Sequence, residues 1–265
     1  MNRFRKPFNL LLTAWLLTSA TAIYAKTAEE KGLAIAKESK ARDIGWSDMQ
    51  ADMKMILRNK QGQESLREIR LKSLELESDG DKSLSIFDKP RDVKGTAFLS
   101  FSHPVGADDQ WLYLPALKRV KRISSRNKSG PFMGSEFAYE DLTSFEVEKY
   151  SYKYIGDETV NGEESFKIEQ YPADKNSGYT RRIVWLDKAE YRAQKTEFYD
   201  RKNSLLKTLT FDDYQQYLGK FWRANRYTMV NHQSGKSTVL DWQNYRFGTG
   251  LKDSDFNKNS LKRAR

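Results

Sequence analysis

Most of the sequence consists of short runs in which apolar and polar residues alternate, the period-two pattern of half-buried β-strands. Between residues 52 and 247, roughly twelve such runs are joined by links of hairpin length, and Asp79-Gly80-Asp81 carries typical hairpin turn residues. The runs do not alternate with helical segments, which argues against a parallel sheet. Since an antiparallel sheet of this size must curl or close, the pattern predicts a mainly β fold, a curved and incompletely closed antiparallel β-barrel.

Two segments are available to cover the open side of such a barrel. Residues 27–42 predict a helix, with Thr27 as its N-cap, acidic residues in its first turn and basic residues near its end. Gly32 lowers the helix propensity, and the apolar face is predicted to contain Leu33, Ala36 and Ala41. Residues 125–141 are irregular and rich in Gly and Ser, yet they carry aromatic side chains. We therefore predict an N-terminal helix and a lid made of helix and loop.

The first 25 residues have the layout of a cleavable secretory signal. A basic stretch at residues 3–6 precedes an apolar run at residues 10–17, and small residues follow as far as Ala25. The apolar run is shorter than the ~20 residues needed to span a bilayer. We predict a signal peptide at residues 1–25, with Ala22 as the other cleavage position, and one domain at residues 26–265. The alternative is an uncleaved N-terminal anchor.

The composition excludes several classes of site and partner. The chain has no cysteine, which removes disulfides, thiolate metal sites and lipid attachment through Cys, and it has only two histidines. We expect no metal and no cofactor. The formal charge is +10. In an exported protein this surplus argues against nucleic acid as a partner and favours anionic lipid head groups or acidic protein surfaces.

A central block resembles a known family. It reads WLYLPALKRVKRI at residues 111–123, GPFMGSEF at residues 130–137 and YEDL at residues 139–142. This block is similar to exported bacterial proteins called outer-membrane lipoprotein-sorting proteins, which have the LolA/LolB-like fold, and the resemblance extends over nearly all of the mature chain. It implies an unclosed antiparallel barrel with a helical lid over an apolar cavity.

The same resemblance implies a function. Such a protein would be periplasmic, soluble and not lipidated, and it would carry a lipid or the acyl chains of a lipoprotein toward the outer membrane. Relatives are often associated with inner-membrane exporters of the resistance-nodulation-division (RND) type, so a periplasmic accessory protein of such an exporter is the alternative. A shuttle of this kind is expected to be a monomer that contacts membranes transiently.

The candidate cavity residues are aromatic and aliphatic. An acyl-chain carrier needs a dry apolar cavity, because each buried CH₂ group contributes about 0.8 kcal/mol. The alternative is that these side chains fill an ordinary core, since the alternating pattern does not show which face each strand turns inward. The candidates are Leu99, Phe101, Trp111, Tyr113, Trp185, Trp222 and Trp242.

Two further groups are candidates for a lid and for a partner surface. The Gly-rich loop carries apolar side chains that suit a gate or, alternatively, anchors to the core: Phe132, Met133, Phe137 and Leu142. A basic run suits head-group phosphates or an acidic partner, or alternatively a protected edge strand: Lys118, Arg119, Lys121 and Arg122.

Enzyme signatures are weak. No G-x-S-x-G motif occurs, and the acidic pairs lack the spacing of a Ca²⁺ loop. We predict a non-enzymatic protein with no catalytic residue. The remaining alternative is a lipid-acting hydrolase that uses His103 or His232.

Overall fold

The structure is a computed structural model that describes Met1, residues 26–259 and residues 261–263. Residues 2–25 of the predicted signal peptide lie outside the described residues. Within the described part, none of the helices has the length and apolar character required to cross a lipid bilayer.

Thirteen strands, one α-helix and seven short 3₁₀ helices make up the regular structure of the described residues. The helix is α1 (Ala28–Arg42). The strands are β1 (Asp48–Arg58), β2 (Glu64–Leu74), β3 (Lys82–Lys89), β4 (Ala97–Phe101), β5 (Asp109–Leu114), β6 (Arg119–Ile123), β7 (Tyr150–Val160), β8 (Glu163–Pro172), β9 (Tyr179–Asp187), β10 (Ala193–Asp200), β11 (Leu205–Tyr217), β12 (Phe221–Asn231) and β13 (Ser237–Phe247).

All thirteen strands belong to one antiparallel sheet. Their order is β6-β5-β4-β3-β2-β1-β13-β12-β11-β10-β9-β8-β7, so neighbours in the sheet are neighbours in sequence except where β1 pairs with β13. The edges are β6 and β7, which do not pair with each other in the described structure. The predicted mainly β, incompletely closed fold is therefore confirmed, with thirteen strands.

The sheet curls around one large hydrophobic cluster. Phe98 and Leu112, from β4 and β5, pack in the same cluster as Phe198, Leu209 and Met229, from β10 to β12. These two groups of strands are far apart in the order of the sheet, so they can share a cluster only if the sheet bends back on itself. We call the face that contributes to this cluster the inner face, and the opposite face the outer face.

The chain between the two edge strands runs across the inner face. Residues 124–149, here called the crossing segment, leave β6 and end at β7. Phe132 is 1% exposed and Phe137 is 2% exposed, and both belong to the inner-face cluster. The segment therefore fills the opening that an unclosed barrel leaves.

The helix α1 covers the other part of the inner face. Thr27 Oγ1 accepts a hydrogen bond from the Glu30 N–H (3.1 Å), and the Glu30 carboxylate accepts one from the Thr27 N–H (2.9 Å), so the predicted N-cap forms a capping box. Ile35 and Ala36 pack with side chains of β7, β8 and β9. Leu33 and Ala41 are exposed, so the predicted apolar face was wrong in these two positions. The buried positions are Gly32, Ile35 and Ala36.

The outer face of β3 to β6 also carries apolar side chains, and the C-terminal tail packs against them. Phe256 and Leu261 are buried against Leu84, Ile86 and Leu99. The middle of β3 and most of β4 are thus buried on both faces, whereas the edge strand β6 stays largely exposed.

Candidate functional site

A cavity of about 480 Å³ lies on the inner face, between α1, the crossing segment and the sheet. Its volume falls in the range of ~300–1,000 Å³ that is typical of small-molecule sites. The walls come from α1, from the end of the crossing segment and from strands β1, β2 and β8 to β12. They combine polar and charged side chains, such as Asp81 and Arg182, with many apolar ones, which include Met49, Phe145, Leu186, Phe198, Leu209 and Trp222.

Period-two alternation explains how the strands supply these walls. On β9, Arg182, Val184 and Leu186 line the cavity. Trp185 points to the outer face, where its Nε1–H donates to Glu158 (3.1 Å) and the Lys195 ammonium lies 3.7 Å from its ring centroid. Since side chains alternate along a strand, the same strand serves the cavity and the outer surface.

Three cations near the cavity form ion pairs. Lys40 Nζ lies 3.3 Å from the Glu146 carboxylate, and Arg223 Nη1 lies 2.6 Å from Asp43. Lys207 Nζ lies 2.7 Å from Asp141, and both of these side chains are at most 5% exposed. Charges of this kind are tolerated at low exposure because each one has a partner.

Burial changes the ionisation of two carboxyl groups beside Lys40. It raises the pKa of Glu146, and the nearby Lys40 opposes this rise. Burial likewise raises the pKa of Asp81, which lines the cavity, again against the effect of Lys40. A partly buried group of one ammonium and two carboxyl groups therefore lies between α1 and the crossing segment.

The crossing segment is held in place by polar contacts as well as by its aromatic side chains. Lys207 Nζ donates to the Glu136 carbonyl (2.7 Å), and the Glu136 N–H donates to Thr238 Oγ1 (3.0 Å). The Tyr179 hydroxyl donates to Asp141 (2.9 Å). Strands β9, β11 and β13 thus bind the same stretch of the segment.

A second cavity of about 420 Å³ lies at the opening between the two edge strands. Its lysines are paired, with Lys128 Nζ 2.7 Å from Asp174 and Lys149 in contact with Asp108. Burial raises the pKa of Glu140, which accepts hydrogen bonds from the Gly178 N–H (2.8 Å) and the Ser177 hydroxyl (2.7 Å). The inner-face cavity has more aromatic and aliphatic side chains in its walls than this second cavity.

Solved structures share this architecture. A domain from Vibrio parahaemolyticus, provisionally assigned as an outer membrane lipoprotein-sorting protein, matches with a TM-score of 0.87 and 68% sequence identity, covering 88% of this chain and 99% of that one. The chain belongs to this lipoprotein-sorting family. The resemblance seen in residues 111–142 is thereby confirmed.

Other comparisons agree with membership of the lipoprotein-sorting family. A DUF1329 family protein from Desulfovibrio piger ATCC 29098 matches with a TM-score of 0.84 and 30% identity over 89% of this chain and 100% of that one. A LolA superfamily protein from Nitrosomonas europaea shares the fold, with a TM-score of 0.70 and 22% identity over 89% of this chain and 99% of that one. A family model described as an uncharacterized protein matches residues 79–263. No curated protein gives a significant match.

The structure separates the seven candidate cavity residues. Trp222 lines the inner-face cavity, and Trp242 packs against the inner-face cluster. Trp185 lies on the outer face. The remaining four, Leu99, Phe101, Trp111 and Tyr113, belong to the outer-face cluster with Phe256 and Leu261. The inner face of β4 and β5 carries Phe98 and Leu112 instead.

The candidate lid residues come together on the inner face. Phe132 and Phe137 are buried, and Met133 and Leu142 are half-buried against the same cluster. Phe137 also lines the cavity, so the crossing segment forms part of its wall.

The candidate basic residues lie together on and beside the edge strand β6. Lys118, Arg119, Lys121 and Arg122 are all exposed. Arg122 Nη2 lies 2.5 Å from Asp109, and the other three form no salt bridge among the described residues.

The two histidines lie outside the cavity. His103 Nδ1 is 3.0 Å from the Asp79 carboxylate, and its Nε2 is 3.6 Å from Asp109. His232 is exposed, and its Nε2 lies 2.8 Å from the Thr208 hydroxyl.

The sequence analysis does not single out two cavity residues, Arg182 and Gln170, and only Arg182 carries a signal in the sequence. Arg182 stands in the alternating run of β9 on the same face as Val184 and Leu186, and a lone charge on an apolar face marks an unusual environment. Gln170 lies directly opposite Arg182 in the pairing of β8 with β9. Detecting it requires the strand register, which the sequence does not display.

Proposed function

We propose that this protein is a periplasmic, non-enzymatic carrier in which residues 26–265 hold a lipid, or the acyl chains of a lipoprotein, for transfer toward the outer membrane. The observation that carries the proposal is the cavity of about 480 Å³ between α1, the crossing segment and the sheet, whose walls include many aromatic and aliphatic side chains. Membership of the lipoprotein-sorting family supports it. Export by the signal at residues 1–25 would bring the protein to the periplasm.

The proposed mechanism uses binding without chemistry. Acyl chains leave water for the apolar wall, which contributes about 0.8 kcal/mol for each buried CH₂ group. Phe137 contributes to that wall from the crossing segment, so a displacement of the segment would open the cavity and release the cargo at the receiving site.

Extraction of the mature protein followed by mass spectrometry tests the proposal, together with titration of an uncharged fluorescent acyl probe. Ala224 lines the cavity and is 1% exposed. We expect Ala224→Leu to fill part of the cavity and to weaken probe binding at least tenfold. Ala116→Leu makes the same change at an exposed turn and should leave binding unchanged. Absence of any bound lipid, together with no probe uptake, would contradict the proposal.

An accessory role at an RND-type exporter is the second candidate function. The exposed basic group at Lys118, Arg119, Lys121 and Arg122 favours it, because an acidic docking surface would complement these charges. Reversal of all four charges to Glu is expected to abolish co-purification with a co-expressed exporter while probe binding persists. Unchanged co-purification of the reversed variant would reject this role for the basic group.

A further inference from the structure

Arg182 differs from the other cations at the cavity. Lys40, Lys207 and Arg223 each pair with a carboxylate, whereas no carboxylate of the described residues lies within salt-bridge distance of Arg182. Its Nη2 donates instead to the neutral Gln170 side chain, and its guanidinium lies 4.2 Å from the centroid of the Tyr150 ring. A positive charge at an apolar wall without a negative partner is costly unless something compensates it.

The cavity wall also holds two buried hydrogen-bond donors that no described residue accepts from. They are Arg182 Nε and Trp222 Nε1. Buried polar groups are almost always satisfied, so such atoms point to a missing partner. Both atoms are donors, so a partner for either of them would have to offer an acceptor atom.

We propose that the cavity binds an amphiphile with an acyl chain and an anionic head group, and that the head group pairs with Arg182. The planar guanidinium matches the geometry of a carboxylate or phosphate through two parallel hydrogen bonds. Gln170, which is 3% exposed, and the Tyr150 ring hold the guanidinium at the wall. This inference rests on the proposed carrier function and names the chemical class of its cargo.

The test compares three probes that share a sixteen-carbon chain: hexadecanoate, hexadecyl phosphate and the uncharged hexadecanol. Titration calorimetry with the mature protein gives each dissociation constant. We expect at least one of the two anions to bind tenfold or more tightly than the alcohol, and the tighter anion identifies the head group.

Two variants test the residue, and a third serves as the control. Arg182→Gln removes the cation, and Gln170→Glu keeps Arg182 but supplies a carboxylate from the protein itself. Both are expected to lower the preference for the anions over hexadecanol to less than twofold. Arg181→Gln makes the same change on the adjacent residue, which pairs with Glu169 (2.9 Å) and stacks on Tyr199, and should retain the preference.

The outcomes separate the two proposals. Equal binding of all three probes, or an unchanged preference in both Arg182→Gln and Gln170→Glu, would overturn the anion site and leave the carrier intact. No binding of any probe would overturn both. If Arg182→Gln does not fold, as judged by circular dichroism, Gln170→Glu decides the matter alone, because it adds a favourable ion pair.

Discussion

At the scale of single residues, Gly32 fixes how closely α1 can approach the sheet. A Cβ atom at this position would lie 2.8 Å from the Tyr154 backbone nitrogen and 2.9 Å from the Lys153 carbonyl carbon. Both atoms belong to the backbone of β7, which cannot move aside as a side chain can. The helix therefore lies against the edge strand at a distance that only glycine allows.

Replacing Gly32 with Ala should destabilise the protein, although the same change normally stabilises a helix by roughly 1 kcal/mol. The contact with β7 reverses the sign, and overpacking of this kind costs about 1–3 kcal/mol. Thermal unfolding measures the effect, with Lys37→Ala, an exposed substitution in the same helix, as the control. A melting temperature for Gly32→Ala at or above that of the wild type would show that α1 is free to move away.

The carboxyl group of Glu146 should make stability depend on pH. Burial raises its pKa in the folded state above the ordinary value of about 4.3. At pH values between the ordinary pKa of Glu and the raised pKa in the folded state, the folded protein holds a proton that the unfolded chain has released. The free energy of unfolding therefore increases as the pH falls through this range.

Glu146→Gln removes this dependence. We expect the difference in unfolding free energy, wild type minus variant, to grow as the pH is lowered from neutrality toward about 4.3. Urea unfolding at several pH values measures it. Parallel pH profiles for the two proteins would contradict the assignment.

Gly32 also shows where residue-level prediction from sequence stops. Thr27 was identified as the N-cap because its signal is local. The sequence shows Gly32 only as a weak point in the helix, because its role depends on a strand more than a hundred residues away in the chain. The prediction that Leu33 and Ala41 are buried fails in a similar way, because the strands against which the helix packs decide which of its faces is buried.

At the scale of elements, the crossing segment is fixed by a buried ion pair. Lys207 from β11 and Asp141 from the segment are at most 5% exposed and 2.7 Å apart. Removing one member of such a pair leaves the other charge buried without a partner. The pair is therefore the polar contact whose loss should loosen the segment most.

Lys207→Met is expected to lower stability by about 3 kcal/mol or more and to speed amide hydrogen exchange in residues 124–149. Lys207→Met combined with Asp141→Asn removes both charges and should lose less than the sum of the two single changes. Lys236→Met, at an exposed position after β12, is the control. Strict additivity of the two changes would show that the pair is not coupled.

The strands themselves were predictable from sequence, but their faces were not. On β4, the alternation of Ala97, Leu99 and Phe101 located the strand correctly, yet these side chains lie under the C-terminal tail. Phe98 and Ser100, between them, are buried on the inner face. When both faces are covered, alternation no longer distinguishes inside from outside, and only the packing of distant elements does.

At the scale of the whole molecule, the two faces of the sheet contact different parts of the chain. The inner face carries the cavity and the crossing segment, whereas the outer face of β3 to β6 is partly covered by Phe256 and Leu261. Stability and binding should therefore respond separately to substitutions on opposite faces, as long as the sheet itself is not distorted.

Phe256→Ala tests this separation. Phe256 is 3% exposed, and replacing a buried Phe with Ala costs about 3–5 kcal/mol. We expect that loss in urea unfolding, while the affinity for the uncharged acyl probe stays within twofold, because the cavity lies on the other face of the sheet. Ala224→Leu should give the opposite result, with weaker binding and a smaller loss of stability. If Phe256→Ala instead weakens probe binding in proportion to its loss of stability, the tail supports the cavity as well as the outer face.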